Sequence, residues 1–372
     1  MFKSILTALF RRADIIPDGG RPWDPQIYDD RFYRGVALRG AVGLGDAFIE
    51  GWWGCTDIEG FLLRIVQSRA YRHFPRFDRL WRKLRFGVLD VQTLERSKKV
   101  ARVHYDESPE FYRMMLGPSF FYTCARFDGV STLEEAQRQK ADLLCRKAEL
   151  KPGWTVVDIG SGWGPFLGQA SEKYHANGVG LTISPEQCAY ANEHYGHVHS
   201  PHVEFRLQDY RQYSGKADAV VSICMIEHVG PKHYREYFRK AAEWLKESSG
   251  IFALQCIVAR DPGWAMNTWL EKHIFPNSQL PLVEQLEEAV DGLFYILDKE
   301  FFGADYVRTL AAWRQNLMDN RLEIMRKYGE RFYRMFVYYL STCMAGFMSG
   351  KVDVGQFVFS PNPRPNYERI RL

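Results

Sequence analysis

From Thr155 onward, short apolar runs alternate with amphipathic stretches. Thr155–Ile159 (TVVDI), 178–183, 203–207, 217–224 and 250–257 have the length and apolar content of buried strands. Between them, 165–174, a segment opened by Ser184-Pro185, and 234–246 carry helical spacing. Ser184 suits an N-cap, Pro185 the first turn and Gln187 the capping-box position. Strand–helix units repeated in this way predict a mainly parallel, doubly wound α/β sheet. Ligands of such sheets sit beyond the carboxyl ends of the strands. Residues 1–100 read as a mostly helical N-terminal domain, with apolar positions at mixed three and four spacing around 47–66. Within it, the glycine-rich stretch 40–54 with Trp52-Trp53 predicts a turn packed by aromatics. The α/β domain takes the remainder, 101–372. Its first part, 104–150, is helical with a break at Gly117-Pro118. A loop-rich, helical insertion near 261–300 suits a lid or pocket. A long aromatic helical stretch follows at 322–348, and 356–360 (QFVFS) returns as a last strand.

Composition adds limits. With 372 residues, 46% of them hydrophobic and 25% charged, the chain can bury a large core in one or two domains. The net charge of +4 is unevenly spread. Twelve Lys/Arg fall between Arg64 and Arg102 against Asp78, Asp90 and Glu95 alone, with Tyr71, Phe74, Phe77, Trp81 and Phe86 interleaved. Such a mixture suits an anionic membrane surface or nucleic acid, and equally a solvated helical face. No apolar run is long enough to span a bilayer. Met1–Arg12 reads as an amphipathic helix rather than a secretory leader. Seven scattered cysteines form no CxxC and no zinc spacing, which predicts reduced thiols, a cytoplasmic setting and no metal centre.

The most informative motif follows the first strand: Asp158-Ile159-Gly160-Ser161-Gly162-Trp163-Gly164. Glycine at alternate positions lets backbone turn sharply and approach a ligand. The G-x-G-x-G spacing is neither that of dinucleotide folds nor that of phosphate loops, and no lysine is present for a triphosphate. It suits a ligand with few phosphates, such as S-adenosylmethionine. Thr182 and Gln187 after the second strand, and Gln208 and Asp209 after the third, are candidates for the ribose and adenine. Local capping is the alternative for each. Glu227, after the fourth strand, is placed for acid–base work or for holding an ion, with capping of the next helix as its alternative. Its neighbour His228 reads as structural. Cys124 and Tyr306 read, singly, as a buried thiol and a core phenol.

Taken together, these motifs carry a resemblance. Tyr122-Thr123-Cys124-Ala125, the Asp158–Gly164 loop, Gly180-Leu181-Thr182-Ile183-Ser184 with Glu186-Gln187, Gln208-Asp209-Tyr210-Arg211, Glu227-His228-Val229-Gly230-Pro231, Ile274-Phe275-Pro276-Asn277 and Phe302-Gly303-Ala304-Asp305-Tyr306 stand in the order found in cyclopropane-fatty-acyl-phospholipid synthases. The mycolic acid cyclopropane synthases share the core of the pattern. The resemblance spans nearly the whole chain. It implies a class I S-adenosylmethionine-dependent methyltransferase fold (Rossmann-like, doubly wound) behind an N-terminal domain that docks on lipid. It also implies a homodimer, cytoplasmic but peripherally associated with the inner membrane, acting on phospholipid bilayers with unsaturated acyl chains and not on nucleic acid. The implied cofactor residues are Tyr122, Thr123, Gly160, Gly162, Gly164, Thr182, Gln187, Gln208 and Asp209, with His104 and Tyr105 closing over the cofactor.

The implied chemistry begins with a cis alkene, a poor nucleophile, held in line with the sulfonium. A carbocation follows, which aromatic faces stabilise. A base then takes a proton from the new methyl so that the ring closes. The resemblance implies bicarbonate as that base. Its matching holders are Cys124, Glu227, Tyr306 and the Ile257 carbonyl. The family's histidine position falls on Gln255, which can bond an anion but cannot shuttle a proton. Either ring closure survives, or the product is a methylated or methylene-branched chain. Ser161 stands where the bacterial enzymes often have Cys. An RNA methyltransferase and a non-catalytic lipid- and cofactor-binding protein are the rival readings.

Overall fold

The computed structural model describes residues 2–69, 108–197, 201–246, 250–262 and 267–372. Most of the basic, aromatic segment expected over 64–102 lies outside the described residues, as do His104 and Tyr105. The chain divides into two compact units.

One unit comprises Met1–Val91, Ala265–Asn277 and Leu310–Val352. Its described helices include Phe2–Arg12, Arg31–Ile49, Ile58–Gln67, Thr268–His273, Arg321–Tyr328 and Glu330–Met348. Helix Arg31–Ile49 kinks at Gly40, whose φ is 53°. The aromatic turn expected at 40–54 forms only after Ile49. Trp53 is fully buried there among Phe32, Phe48, Phe61 and Tyr338, with ring centroids 4.9–6.5 Å apart. Gly45 admits the indole of Trp269, since a Cβ there would lie 2.5 Å from the ring. The helical stretch expected over 322–348 forms two helices, divided at Gly329, whose φ of 88° no helix accommodates.

The other unit comprises Gln92–Trp264, Ser278–Thr309 and Asp353–Leu372. Its sheet has seven strands: β1 Thr155–Ile159, β2 Asn177–Thr182, β3 Val203–Leu207, β4 Ala219–Ile223, β5 Ile251–Ala259, β6 Tyr295–Phe301 and β7 Val352–Ser360. Their order is β3-β2-β1-β4-β5-β7-β6. The pairs β1–β2, β1–β4, β2–β3 and β4–β5 are parallel, whereas β6 and β7 are antiparallel. Alternate residues serve opposite faces. Val157, Val220, Phe252 and Leu254 join one core with Tyr237, Phe238 and Leu286. Val156, Ala219, Val221, Ile251 and Ala253 join another with Leu144, Phe166, Ala170 and Ala191. Two apolar faces, each covered by helices, are the physical content of a doubly wound sheet.

β1, β3 and helix Pro165–Tyr174 coincide with the expected segments. β6 was not foreseen. Its residues fall at the end of the expected insertion and are mostly exposed or half-buried, with Asp298 alone among them buried. The capping box expected at Ser184 forms only in part. Ser184 Oγ accepts the Gln187 amide at 3.3 Å, but the Gln187 side chain accepts from Thr182 instead.

Candidate active site

The glycine loop leaves β1 with φ values of 78°, 55° and 90° at Gly160, Gly162 and Gly164. A Cβ on Gly164 would lie 2.7 Å from Phe205 and 2.8 Å from Ala191, so the turn demands glycine twice over. Gly162 differs: a Cβ there would meet nothing within 4 Å, so the backbone faces open space. The amides of Gly160 and Ser161 both donate to the Leu181 carbonyl, at 2.9 and 3.0 Å, which ties the loop to β2. Ser161 Oγ and Trp163 Nε1 are buried without a hydrogen-bond partner. A backbone open to a ligand beside unsatisfied polar atoms fits a polar cofactor.

Trp163 sits in an aromatic group that the sequence reading passed over. Its ring lies 5.3 Å from Tyr112, 5.5 Å from Phe120 and 5.2 Å from Tyr190, and Tyr112 in turn lies 5.4 Å from Tyr122.

The candidates after β2 and β3 come together through the ladder. The Gln208 amide donates to the Thr182 carbonyl at 2.9 Å. Thr182 Oγ1 donates to Gln187 Oε1 at 3.1 Å and accepts the Ser184 amide at 3.2 Å. Asp209 is nearly buried, its oxygens held by Arg211 Nε and a terminal guanidinium nitrogen at 2.8 and 2.7 Å. These side chains are pre-oriented by their own turns, and the carboxylate keeps lone pairs for a further donor.

A second group forms at the ends of β4 and β5. Met225, just past β4, lies against Gly160, so this group adjoins the glycine loop. Glu227 is 4% exposed. One of its oxygens accepts the Ile257 amide at 2.6 Å, and the other is buried without a partner. Burial raises its pKa to about 7, against the pull of the Ile257 bond. His228 is held down to about 4 by burial and shares a 2.9 Å bond between Nδ1 and Ser278 Oγ, consistent with a structural residue.

Gln255, two residues before Ile257 on β5, has no exposed surface. Its Nε2 donates to the Cys124 carbonyl at 3.2 Å, and its Oε1 accepts Gln356 Nε2 from β7 at 3.0 Å. The Cys124 thiol is buried and donates to the Ala125 carbonyl at 3.2 Å. Burial lifts its pKa well above the ordinary thiol range, so it stays protonated. Tyr306 lies buried in the first turn of helix Gly303–Asp319. Its neighbours lock that turn to the Cys124 segment. Thr309 Oγ1 accepts the Ala125 amide at 3.1 Å, and the Asp305 carboxylate pairs with Arg126 at 2.9 Å.

Two polar residues missed by the sequence reading lie on helix Leu133–Lys147. Gln137 Nε2 donates to the Thr123 carbonyl at 2.9 Å, and Lys140 Nζ to Thr123 Oγ1 at 2.8 Å. Their signal was available: both are buried on the stripe that carries Leu133, Ala136, Ala141 and Leu144.

The mycolic acid cyclopropane synthetase family matches residues 92–357. The chain is 36% identical over 357 residues to the cyclopropane-fatty-acyl-phospholipid synthase of Escherichia coli (strain K12), covering 96% of this chain and 92% of that one. The solved structure of the cyclopropane synthase MmaA2 from Mycobacterium tuberculosis aligns with a TM-score of 0.67 at 30% identity, over 73% of this chain and 99% of that one. That of mycolic acid cyclopropane synthase CmaA1, complexed with SAH and CTAB, gives 0.66 at 30% identity, over 70% and 97%. The sheet and its helices are those of a class I S-adenosylmethionine-dependent methyltransferase. On the family match and on identity sustained along nearly the whole chain, this protein belongs to the cyclopropane synthase family, which takes in the cyclopropane-fatty-acyl-phospholipid synthases and their mycolic acid relatives.

Proposed function

We propose that the protein transfers a methylene group from S-adenosylmethionine to the cis double bond of an unsaturated phospholipid acyl chain, closing a cyclopropane ring. The observation that carries this reading is the buried Glu227, anchored on the Ile257 amide with its second oxygen unpartnered, beside the glycine loop. S-adenosylmethionine supplies the electrophilic carbon, and its holders are Tyr122, Thr123, Gly160, Gly162, Gly164, Thr182, Gln187, Gln208 and Asp209. Bicarbonate would supply the base, and the unpartnered oxygen of Glu227 supports a polar group bound there. Glu227, half protonated near neutrality, can donate to an anion, whereas the single hydrogen of the neutral Cys124 thiol would first have to leave the Ala125 carbonyl. Tyr306 as a further donor, and the Ile257 carbonyl as acceptor for the bicarbonate hydroxyl, complete the holders that the resemblance implies. Gln255 fits bicarbonate less well, because its amide is already engaged by Cys124 and Gln356.

The phospholipid is met at the cytoplasmic face of the inner membrane by a peripheral homodimer. Among the described residues no helix is long and apolar enough to cross a bilayer. The engaged amide of Gln255 also favours a second reading, a methylated or methylene-branched product, because no imidazole stands there to relay a proton. The test mixes the protein with S-adenosylmethionine and vesicles of cis-monounsaturated phospholipid. Mass spectrometry reads the carbon gain, and proton NMR reads the ring methylene. A ring signal supports the first reading and a one-carbon gain without it the second. No gain while cofactor still binds supports a non-catalytic protein.

A further inference from the structure

Lys140 is completely buried on helix Leu133–Lys147. Its ammonium lies 3.7 Å from the centroid of the Phe121 ring and donates to Thr123 Oγ1 at 2.8 Å. Gln137, one turn earlier, donates to the carbonyl of the same threonine. The Arg126 amide donates to the Ala136 carbonyl at 3.1 Å, so the helix grips segment 121–126 at several points.

The direction of the Lys140 bond has a consequence. An ammonium has three donors and no acceptor. Thr123 Oγ1 must therefore accept, and its own hydrogen is directed to another acceptor. Thr123 is half-buried, which leaves that hydrogen room to meet an acceptor. The titratable groups around Lys140 are Asp158 at the end of β1 and the thiols of Cys124 and Cys224. Asp158 stands two residues before Gly160, which brings Thr123 to the same strand end as the glycine loop.

We propose that Lys140 is a positioning residue for the cofactor, holding the Thr123 hydroxyl as an outward donor to the α-carboxylate of the methionyl moiety of S-adenosylmethionine. This inference rests on the cofactor reading above and adds to it the group recognised and the residue that sets its donor. Burial lowers the Lys140 pKa to about 7, and the two thiols and Asp158 work against that fall. Burial likewise raises Asp158 to about 7. Above neutrality the amine loses its charge and can accept, and the Thr123 hydrogen is free to turn back toward it.

The test is calorimetric binding by the full chain, wild type and Lys140→Met, with two probes: S-adenosylmethionine and 5′-methylthioadenosine, which lacks the amino-acid moiety. The expected result is a loss of about tenfold in affinity for S-adenosylmethionine in the variant, the scale of one charge-assisted hydrogen bond. Affinity for methylthioadenosine stays unchanged. The difference between wild type and variant should narrow as pH rises from 6 to 8.5, because only the wild type loses an ammonium. An equal loss for both probes makes Lys140 a support of the whole pocket and overturns the proposal, as does no loss for S-adenosylmethionine. A wild type that binds neither probe overturns the cofactor reading itself, and this inference with it.

Discussion

The two halves of the site are built differently. At the ends of β2 and β3 the polar side chains are satisfied within a few residues of themselves: Thr182 with Ser184 and Gln187, Asp209 with Arg211. At the ends of β4 and β5 the partners come from across the chain: Gln255 joins Cys124 and Gln356, and Glu227 joins Ile257. Local turns give a rigid, pre-oriented surface, which suits a cofactor bound the same way at every turnover. Long-range contacts bury groups away from water and shift their protonation, which suits chemistry. Gly160 and Gly164 are sterically over-determined, and each half keeps an unsatisfied buried oxygen, Ser161 Oγ in one and a carboxylate oxygen of Glu227 in the other.

The strongest way to break this contrast is Glu227→Gln. Acid–base groups contribute on the order of a hundredfold or more to rate, so product formation should fall at least that far. Affinity for S-adenosylmethionine should stay within about twofold, because the proposed cofactor residues are untouched. A pH measurement sharpens the point. The folded pKa of Glu227 is raised, from 4.5 to about 7. Its contribution to stability is therefore fully present below pH 4.5 and is lost as pH rises through about 7. Thermal melts from pH 5 to 8 should show the wild type losing up to about 3 kcal/mol relative to the variant, an upper bound from the size of the shift. Parallel melts would mean that Glu227 is ionised and solvated, and the contrast would fail.

The matching change in the other half is Gly164→Ala. It places a side chain at φ 90° and 2.7 Å from Phe205. Left-handed backbone costs an L-residue about 1–2 kcal/mol, and overpacking adds about 1–3 kcal/mol. Denaturant unfolding should show a loss of about 3 kcal/mol, with cofactor affinity falling alongside stability. In this half, then, binding and folding should be inseparable, whereas Glu227→Gln separates rate from cofactor binding.

The same contrast explains what the sequence made legible. β1, β3 and helix Pro165–Tyr174 were readable to the residue, because each is a run of one periodicity closed by Gly, Pro or a cap. The glycine loop and Ser184 were readable for that reason too. β6 was not, since its exposed edge residues (YILDKEF) lack a continuous apolar run. The break at Gly329 was hidden inside an apolar stretch that continues on both sides. In the site, Glu227 was found as a carboxylate at a strand end. Gln137 and Lys140 were overlooked although they lie on the apolar stripe of their helix, and Gln356 was hidden because its partner Gln255 is far away in sequence. Gln255 was found only through the resemblance, and its engagement by Gln356 lay beyond any local pattern.

The smallest expected effect tests the long-range half at a distance from the chemistry. Gln356 sits on β7 and has no partner role in the sequence reading, yet it donates to Gln255, which donates to the Cys124 carbonyl. Gln356→Leu leaves Gln255 Oε1 buried without its donor, a cost of about 1–3 kcal/mol. The amide can then turn, and the peptide of Cys124 loses its fixed donor. Turnover should fall about tenfold, the scale of one misdirected contact, with the KM for S-adenosylmethionine little changed. Stability alone could produce such a fall, so a second variant separates the causes. Replacing both partners, Gln255→Leu with Gln356→Leu, removes the orphaned amide oxygen but leaves the Cys124 carbonyl without its donor, so it should recover only part of the lost stability. It cannot restore the hydrogen bond to Cys124. If turnover stays low while stability returns, the bridge acts by positioning Cys124. If turnover returns with stability, the bridge is only a buried polar pair, and the chemical half of the site ends at Glu227 and Ile257.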